Sequence, residues 1–250
     1  MLLSGEGADE LFAGYGRTTD LHLLNGIKNK YPKTLLKLLT ATRLKFNARE
    51  AGILNGLVDQ KWDDLLAIYF SVGEQDFKKR EGPPPFIKEL GGKMESSKLF
   101  NHILQVEQRS YLQELLLRQD KMSMWSSMEV RVPFVGDPEV VKFANQLSID
   151  MKLKDGINKY LLRKVAERYL PKHICYRKKR GFGSPVGDWL KQNDQLKDLA
   201  FSLKDSDYMD TRQKKYYTTM LEEHTSGKAD NYEIIWKMMN YLLFRKEYNI

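Results

Sequence analysis

The segment Leu2-Leu3-Ser4-Gly5-Glu6-Gly7-Ala8-Asp9-Glu10-Leu11-Phe12 limits the fold more than any other part of the chain. Two leucines predict the end of a buried strand. A Ser-Gly-x-Gly turn follows, and Ala8 begins a helix. Strand, glycine loop and helix N-terminus is the arrangement by which open α/β sheets present a ligand site at the carboxyl end of a strand. Gly5 and Gly7 reach backbone angles closed to other residues and let a ligand approach the main chain. Free N–H groups at the helix start favour an anion, yet the loop carries Glu6, Asp9 and Glu10. Carboxylates so placed suit a phosphate held through Mg²⁺, or an amine, better than bare phosphate. A capped turn whose acids complement the helix dipole accounts for the same residues. Parallel sheets need several strands buried on both faces, and no later alternation of strands and helices follows. A fragment lacking its amino-terminal part is therefore expected.

Elsewhere the periodicity predicts helices. Apolar residues at helical spacing between Asp20 and Thr42 are split in two by Pro32. Ala48 to Ser71 reads as two helices broken near Gly56. Val72 to Ser97, with its Gly82-Pro83-Pro84-Pro85 and Gly91-Gly92, reads as a surface loop. The longest helical pattern runs from Leu99 to Met128, with Ile103, Leu104, Tyr111, Leu112, Leu115 and Leu116 facing the core. Within it Arg118 and Lys121 share a face. Apolar blocks flank them, which favours paired or cleft-facing cations over a solvated face. Met128 to Phe134 alternates polar and apolar residues, an extended segment that meets Pro133. Asp137-Pro138 opens another helix. Asp155-Gly156 turns the chain before a helix from Asn158 to Tyr169. Lys159, in its first turn, opposes the helix dipole unless an anion sits there too; a tolerated surface lysine is the alternative. Arg177-Lys178-Lys179-Arg180-Gly181-Phe182-Gly183-Ser184-Pro185 is a basic, glycine-containing loop able to close over a polyphosphate, to bind nucleic acid, or simply to be solvated. Helices follow at Val186 to Leu190, with Trp189 expected buried, then Leu196 to Leu203 and Thr211 to His224. A final core helix runs from Asn231 to Tyr248 through Ile234, Ile235, Trp236, Met239, Leu242, Leu243 and Phe244.

Composition narrows the chemistry. In 250 residues, 41 Lys and Arg against 33 Asp and Glu give a charge of +8, suited to an anionic nucleotide, a nucleic acid or a basic surface. The nucleic-acid reading leaves the acidic loop unexplained. Cys175 is the sole cysteine, so an internal disulfide is excluded and a reducing cytoplasm is expected. The histidines, His22, His102, His173 and His224, lack metal-ligand spacing. No apolar stretch approaches a membrane span. Small-molecule partners are expected rather than nucleic acid or membrane.

Five stretches, in order, carry a resemblance: Leu3 to Phe12; Leu117-Arg118-Gln119-Asp120-Lys121-Met122-Ser123-Met124; Glu129-Val130-Arg131-Val132-Pro133-Phe134; Lys159-Tyr160-Leu161-Leu162-Arg163; and Arg177 to Pro185. Together they resemble the carboxy-terminal synthetase domain of the glutamine-dependent asparagine synthetases. The resemblance implies a mainly α chain that is the carboxy-terminal part of an α/β ATP-pyrophosphatase-type domain followed by a helical region. Residues 1–20 would be the last strand, loop and helix of the nucleotide-binding core, 21–98 a helical insertion, and 99–250 a helical region with active-site loops. It also implies adenylation of an aspartate carboxylate by ATP, then displacement of AMP by ammonia from glutamine, with ATP and Mg²⁺ as cofactors. By the same likeness Asp9 would hold Mg²⁺, Glu6 would assist ammonia attack, and Lys159 and Arg118 would stabilise charge on the phosphates. Ser4, Gly5, Gly7, Asp120, Lys121, Arg163 and Lys179 would bind substrate or ATP. The family's Ser-Gly-Gly-x-Asp-Ser phosphate loop and its glutaminase domain are absent, and Ala13 stands where glycine is common. The expectation is that this chain alone neither hydrolyses glutamine nor makes asparagine, and needs those segments in cis or in trans; a homodimer is also compatible with it. The same chemistry on a sugar or peptide carboxylate is one alternative. A non-catalytic helical fragment that packs on a partner is another.

Overall fold

The computed structural model describes residues 1–42, 46–70, 98–178 and 184–249. It is mostly helical and separates into two compact units, Met1–Arg177 and Lys178–Ile250.

The first unit opens with β1 (Leu2–Leu3), which pairs in parallel with β2 (Val130–Arg131), Leu2 opposite Val130 and Leu3 opposite Arg131. Leu2 and Leu3 form the expected strand, but it is not buried: they are 52% and 72% exposed. Parallel strands are normally covered on both faces, and no described residue covers these. Between the strands run α1 (Ala8–Phe12), α2 (Gly16–Lys30), α3 (Lys33–Thr42), α4 (Ala48–Asp59), α5 (Trp62–Tyr69), α6 (Leu99–Arg109) and α7 (Tyr111–Trp125). Leu21 and Leu24 of α2, Ile53 and Leu57 of α4, Leu65, Leu66 and Tyr69 of α5, and Ile103 and Val106 of α6 make one core. The surface loop expected from Val72 onward falls at residues 71–97, outside the described residues.

Two helix boundaries differ from expectation. Helix α4 runs through Gly56 and stops at Gln60, whose left-handed backbone (φ 54) ends it. Gly56 is where α5 crosses: a β-carbon there would lie 3.0 Å from Leu65 Cβ. The long pattern from Leu99 is two helices, α6 and α7, parted at Ser110 (φ −119, ψ −82), whose hydroxyl donates to the Val106 carbonyl at 2.6 Å. Past the break only Leu112 of α7 is fully buried, and Tyr111 lies exposed.

After β2 come α8 (Pro133–Gly136), α9 (Pro138–Gln146), α10 (Ile149–Lys152), the hairpin β3 (Leu153–Lys154) and β4 (Ile157–Asn158), α11 (Tyr160–Ala166) and α12 (Lys172–Cys175). Asp137 caps α9 by accepting from Glu139 N at 2.9 Å. Leu11, Phe12 and Ala144 form a second, smaller core with Phe134, Val135, Val141, Leu147 and Leu162. This core seats the acidic loop.

The second unit holds α13 (Val186–Gln192), α14 (Asp194–Ser202), α15 (Thr211–Thr225) and α16 (Tyr232–Tyr248). Val186, Leu190, Ala200, Tyr217, Leu221, Ile235, Met239 and Leu242 pack together. Trp189, expected buried, is 47% exposed, because Leu190 takes the inward position. Trp236 and Phe244 of α16 also face outward. Among the described residues no helix is long and apolar enough to cross a membrane.

Candidate functional site

The acidic loop is fixed at both ends by the segment Glu129 to Val135. Leu2 N donates to Glu129 O and Ser4 N to Arg131 O, each at 2.8 Å. Gly7 sits at φ 87, a region open to glycine, and a β-carbon there would strike Val135 Cγ1. Phe12 and Phe134 meet edge to face, centroids 6.1 Å apart. Two stretches far apart in sequence thus become one surface. Within the loop the Ser4 hydroxyl accepts from Glu6 N at 3.3 Å, and nothing lies near the Gly5 α-carbon on its side-chain side.

On α1, Asp9 points outward and Glu10 inward. Asp9 Oδ1 meets Lys159 Nζ at 3.0 Å, with the two side chains 22% and 20% exposed. Glu10 is fully buried and accepts from the Tyr15 hydroxyl; burial pushes its carboxyl above the usual carboxylate range. Beside it Arg17 donates through Nε to Glu107 at 2.9 Å, and the Tyr69 hydroxyl donates to the same oxygen at 2.9 Å. The Arg17 guanidinium also lies over the rings of Tyr15, Tyr69, Phe70 and Tyr111, 4.9 to 5.6 Å from their centroids. Burial raises Glu107 to about 7, against the opposing pull of Arg17 and Tyr69. This polar cluster ties α1 to α2, α5 and α6 directly behind the loop.

The far wall is the turn before α11. Lys159 is not in the first turn of that helix, as the sequence predicts; it is the capping residue, held left-handed at φ 53. Its N–H donates to Phe12 O at 3.2 Å, and Asn158 Nδ2 donates to Gly14 O at 2.9 Å. Arg163 donates through Nε to Asn158 O at 2.7 Å, through Nη2 to Asn158 Oδ1 at 2.8 Å, and through Nη1 to Cys175 O.

Of the expected site residues, Ser4, Gly5, Glu6, Gly7, Asp9 and Lys159 come together, with Arg163 behind Lys159. Arg118, Asp120 and Lys121 lie exposed on α7. Arg118 pairs with Glu114 one turn back, and among the described residues no hydrogen bond or ion pair joins it to Glu6, Asp9 or Lys159. Lys179, with residues 179–183 of the basic loop, lies outside the described residues. Gly14, Asn158, Glu10, Tyr15, Arg17 and Glu107 are residues that sequence reasoning did not assign to the site.

Among the described residues no group of three or more His, Cys, Asp or Glu side chains is arranged to hold a metal by itself. The single outward carboxylate of Asp9 fits Mg²⁺, which keeps several waters and takes one or two carboxylates plus phosphate oxygens.

The family model described as Asparagine synthase matches residues 1–246. The chain is 31% identical over 254 residues to the glutamine-hydrolyzing asparagine synthetase 1 of Bacillus subtilis (strain 168), covering 97% of this chain and 39% of that protein. It is 31% identical over 206 residues to the glutamine-hydrolyzing asparagine synthetase 3 of the same organism, covering 78% of this chain and 30% of that one. It is 30% identical over 131 residues to the Rattus norvegicus asparagine synthetase, covering 46% of this chain and 23% of that protein. The chain thus spans well under half the length of these relatives. No solved structure matches it significantly.

Proposed function

From the premise that this chain belongs to the asparagine synthase family, we propose that it supplies one wall of an ATP-dependent amide-forming site and does not complete that site alone. The observation that carries this reading is the Asp9–Lys159 pair at 3.0 Å, an acid suited to Mg²⁺ and a base suited to phosphate, at the carboxyl end of a parallel strand.

The reaction has two steps. An aspartate carboxylate oxygen bonds to the α-phosphorus of ATP as the bond to the β-phosphate oxygen breaks, releasing pyrophosphate. Ammonia, which hydrolysis of glutamine would supply, then attacks the acyl carbon; AMP leaves and the amide remains. Mg²⁺ bound at Asp9 would neutralise charge on the phosphates. The Lys159 ammonium offers a fixed positive charge to the departing pyrophosphate, the kind of preorganised stabilisation that contributes most to rate. Glu6, on the same glycine loop, accepts the proton the attacking ammonia must lose. Arg118 and Lys121 are further cations on α7, with Asp120 between them, and Arg118 would have to leave Glu114 to meet a phosphate. An ATP-pyrophosphatase-type α/β core, of which β1 and β2 would be part, is the fold this reading implies; the exposed leucines of β1 support it, since such strands are covered when the sheet is whole. A cytoplasmic setting fits these substrates.

With ATP, Mg²⁺, aspartate and ammonia, the chain by itself should form no asparagine. The polypeptide that also carries the segments present in the relatives outside the match should do so, and should lose that activity in Asp9→Asn and in Lys159→Met. Amide formation by the chain alone, or an unimpaired Asp9→Asn, would refute the respective half of the proposal. A sugar or peptide carboxylate consumed in place of aspartate would keep the chemistry and change the acceptor.

A further inference from the structure

Lys159 is a long-chain residue at φ 53, and such a residue adopts this conformation only when its surroundings impose it. Two neighbours do so. Asn158 is gripped on both sides: its Nδ2 donates to Gly14 O, past the end of α1, and its Oδ1 accepts from Arg163 Nη2. Arg163 closes the arrangement by donating Nε to Asn158 O and Nη1 to Cys175 O. The guanidinium is thereby engaged by the chain itself, its three donating nitrogens all directed at backbone or at Asn158. Meanwhile Gly14 presents no side chain where Lys159 crosses. A β-carbon at Gly14 would overlap both Asp9 Oδ1 and Lys159 Cε, so the ion pair lies flat on that glycine.

We propose that Asn158 and Arg163 are positioning residues, a side-chain clamp that locks the Lys159 backbone left-handed and so aims its amine across Gly14 at Asp9. The clamp deepens the reading given under Proposed function and rests on it only for the part played by Lys159 in the reaction. It assigns Arg163 to holding Lys159 rather than to contacting substrate. It also gives Asn158 a role that its short amide suits: one donor and one acceptor directed in opposite directions.

The test is the reactivity of the Lys159 amine, read by brief labelling with an amine-directed ester and mass spectrometry of the whole chain. Exposed Lys215 serves as the internal reference, and fully buried Lys152 reports global unfolding. Asn158→Ala removes the bond to Gly14 O and the one from Arg163 Nη2, leaving Arg163 on the two backbone carbonyls alone, and Lys159 labelling should rise about fivefold, with Lys215 and Lys152 unchanged. Asn158→Asp keeps the acceptor for Arg163 and loses the donor to Gly14, so it should give a smaller rise. Lys159 labelling that stays at the wild-type level in Asn158→Ala overturns the proposal. If Lys152 labels as well, that variant has unfolded, and Arg163→Lys, which cannot reach Asn158 Oδ1 and Cys175 O together, decides in the same way. A second measurement uses aspartate-dependent exchange of pyrophosphate into ATP by the completed polypeptide. There Asn158→Ala should lower kcat about tenfold with the KM for aspartate unchanged when the rate is expressed per mole of folded polypeptide, the folded fraction being read from its urea titration; a kcat restored to wild type by that normalisation would mean mere destabilisation and overturn the positioning role. A wild-type polypeptide with no exchange refutes the proposed function and leaves the labelling result to judge the clamp.

Discussion

Lys152 ends α10 fully buried, and its Nζ has no hydrogen-bond partner among the described residues. Desolvation alone lowers its pKa from 10.5 to about 8. Near neutral pH the native state must therefore carry an ammonium in an apolar setting that the unfolded chain does not impose. At about 1.4 kcal/mol per pKa unit the penalty is on the order of 3 kcal/mol. The sign follows from proton uptake. Above 10.5 both states are neutral and the penalty vanishes. As pH falls from there, the unfolded state takes up its proton first, and stability declines until the penalty is complete just below about 8. Lys152→Met keeps an unbranched chain of similar volume without the charge. Urea titrations at about pH 7 should show this variant more stable than wild type by about 2–3 kcal/mol, and at about pH 10 the gap should shrink to under about 1 kcal/mol. A gain equal at both pH values, or a variant less stable at neutral pH, would refute a charge penalty and point to packing instead.

Other substitutions test the site's supports. Since Glu107 is raised to about 7 by burial, its contribution to native stability is present at low pH and is lost as pH rises through that value. Melting temperature should fall between about pH 5 and about pH 8 in wild type and fall less in Glu107→Gln, where the raised Glu10 carboxyl remains; identical profiles would show that the Glu107 carboxyl is not raised. Glu107→Ala strands the buried Arg17 guanidinium and should cost about 3–5 kcal/mol in chemical denaturation. Gly7→Ala sets a methyl against Val135 at positive φ and should cost about 1–3 kcal/mol, a loss that a urea midpoint unchanged from wild type would contradict. Gly14→Ala should displace Asp9 and Lys159 while leaving the cooperative melt intact, and reduce pyrophosphate exchange by the completed polypeptide about 100-fold; exchange at the wild-type rate would show that the pair need not lie on that glycine.

Local chemistry makes part of this legible in the sequence. Gly5 and Gly7 between two leucines and a helix-forming run mark the loop, and alternation from Met128 to Phe134 marks the strand that pairs with it. Asp137-Pro138 and Pro32 set helix boundaries by backbone constraint alone. The rest depends on partners that sequence does not bring near. Ser110 breaks a helix with no proline or glycine to announce it. Gly56, which reads as a breaker, is a crossing point for α5, and the stop belongs to Gln60. Leu2 and Leu3 read correctly as a strand and incorrectly as buried, because residue type predicts preference for burial and not the presence of a cover. The Arg17–Glu107 pair and the contact of Asp9 with Lys159 join residues distant in the chain. Nothing in the residue types of Asn158 and Gly14 foretells that they meet. The one local signal is an asparagine beside a lysine that opposes its helix dipole: asparagine tolerates turns and can bond to backbone on either side.

The pairing of Leu2 with Val130 has a consequence in time. A ribosome making this chain releases the acidic loop early, but the residues that hold it, Glu129 to Val135, follow more than a hundred residues later, and Lys159 later still. Contacts this remote in sequence form slowly, because the entropy of closing a long loop is lost before they form. Meanwhile the core shared by α2, α4, α5 and α6 is built from closer neighbours and can condense first. The nascent molecule therefore carries a folded helical body and an unfinished site. Until Val130 and Arg131 emerge, the side of β1 that pairs with them stays open to whichever strand reaches it first.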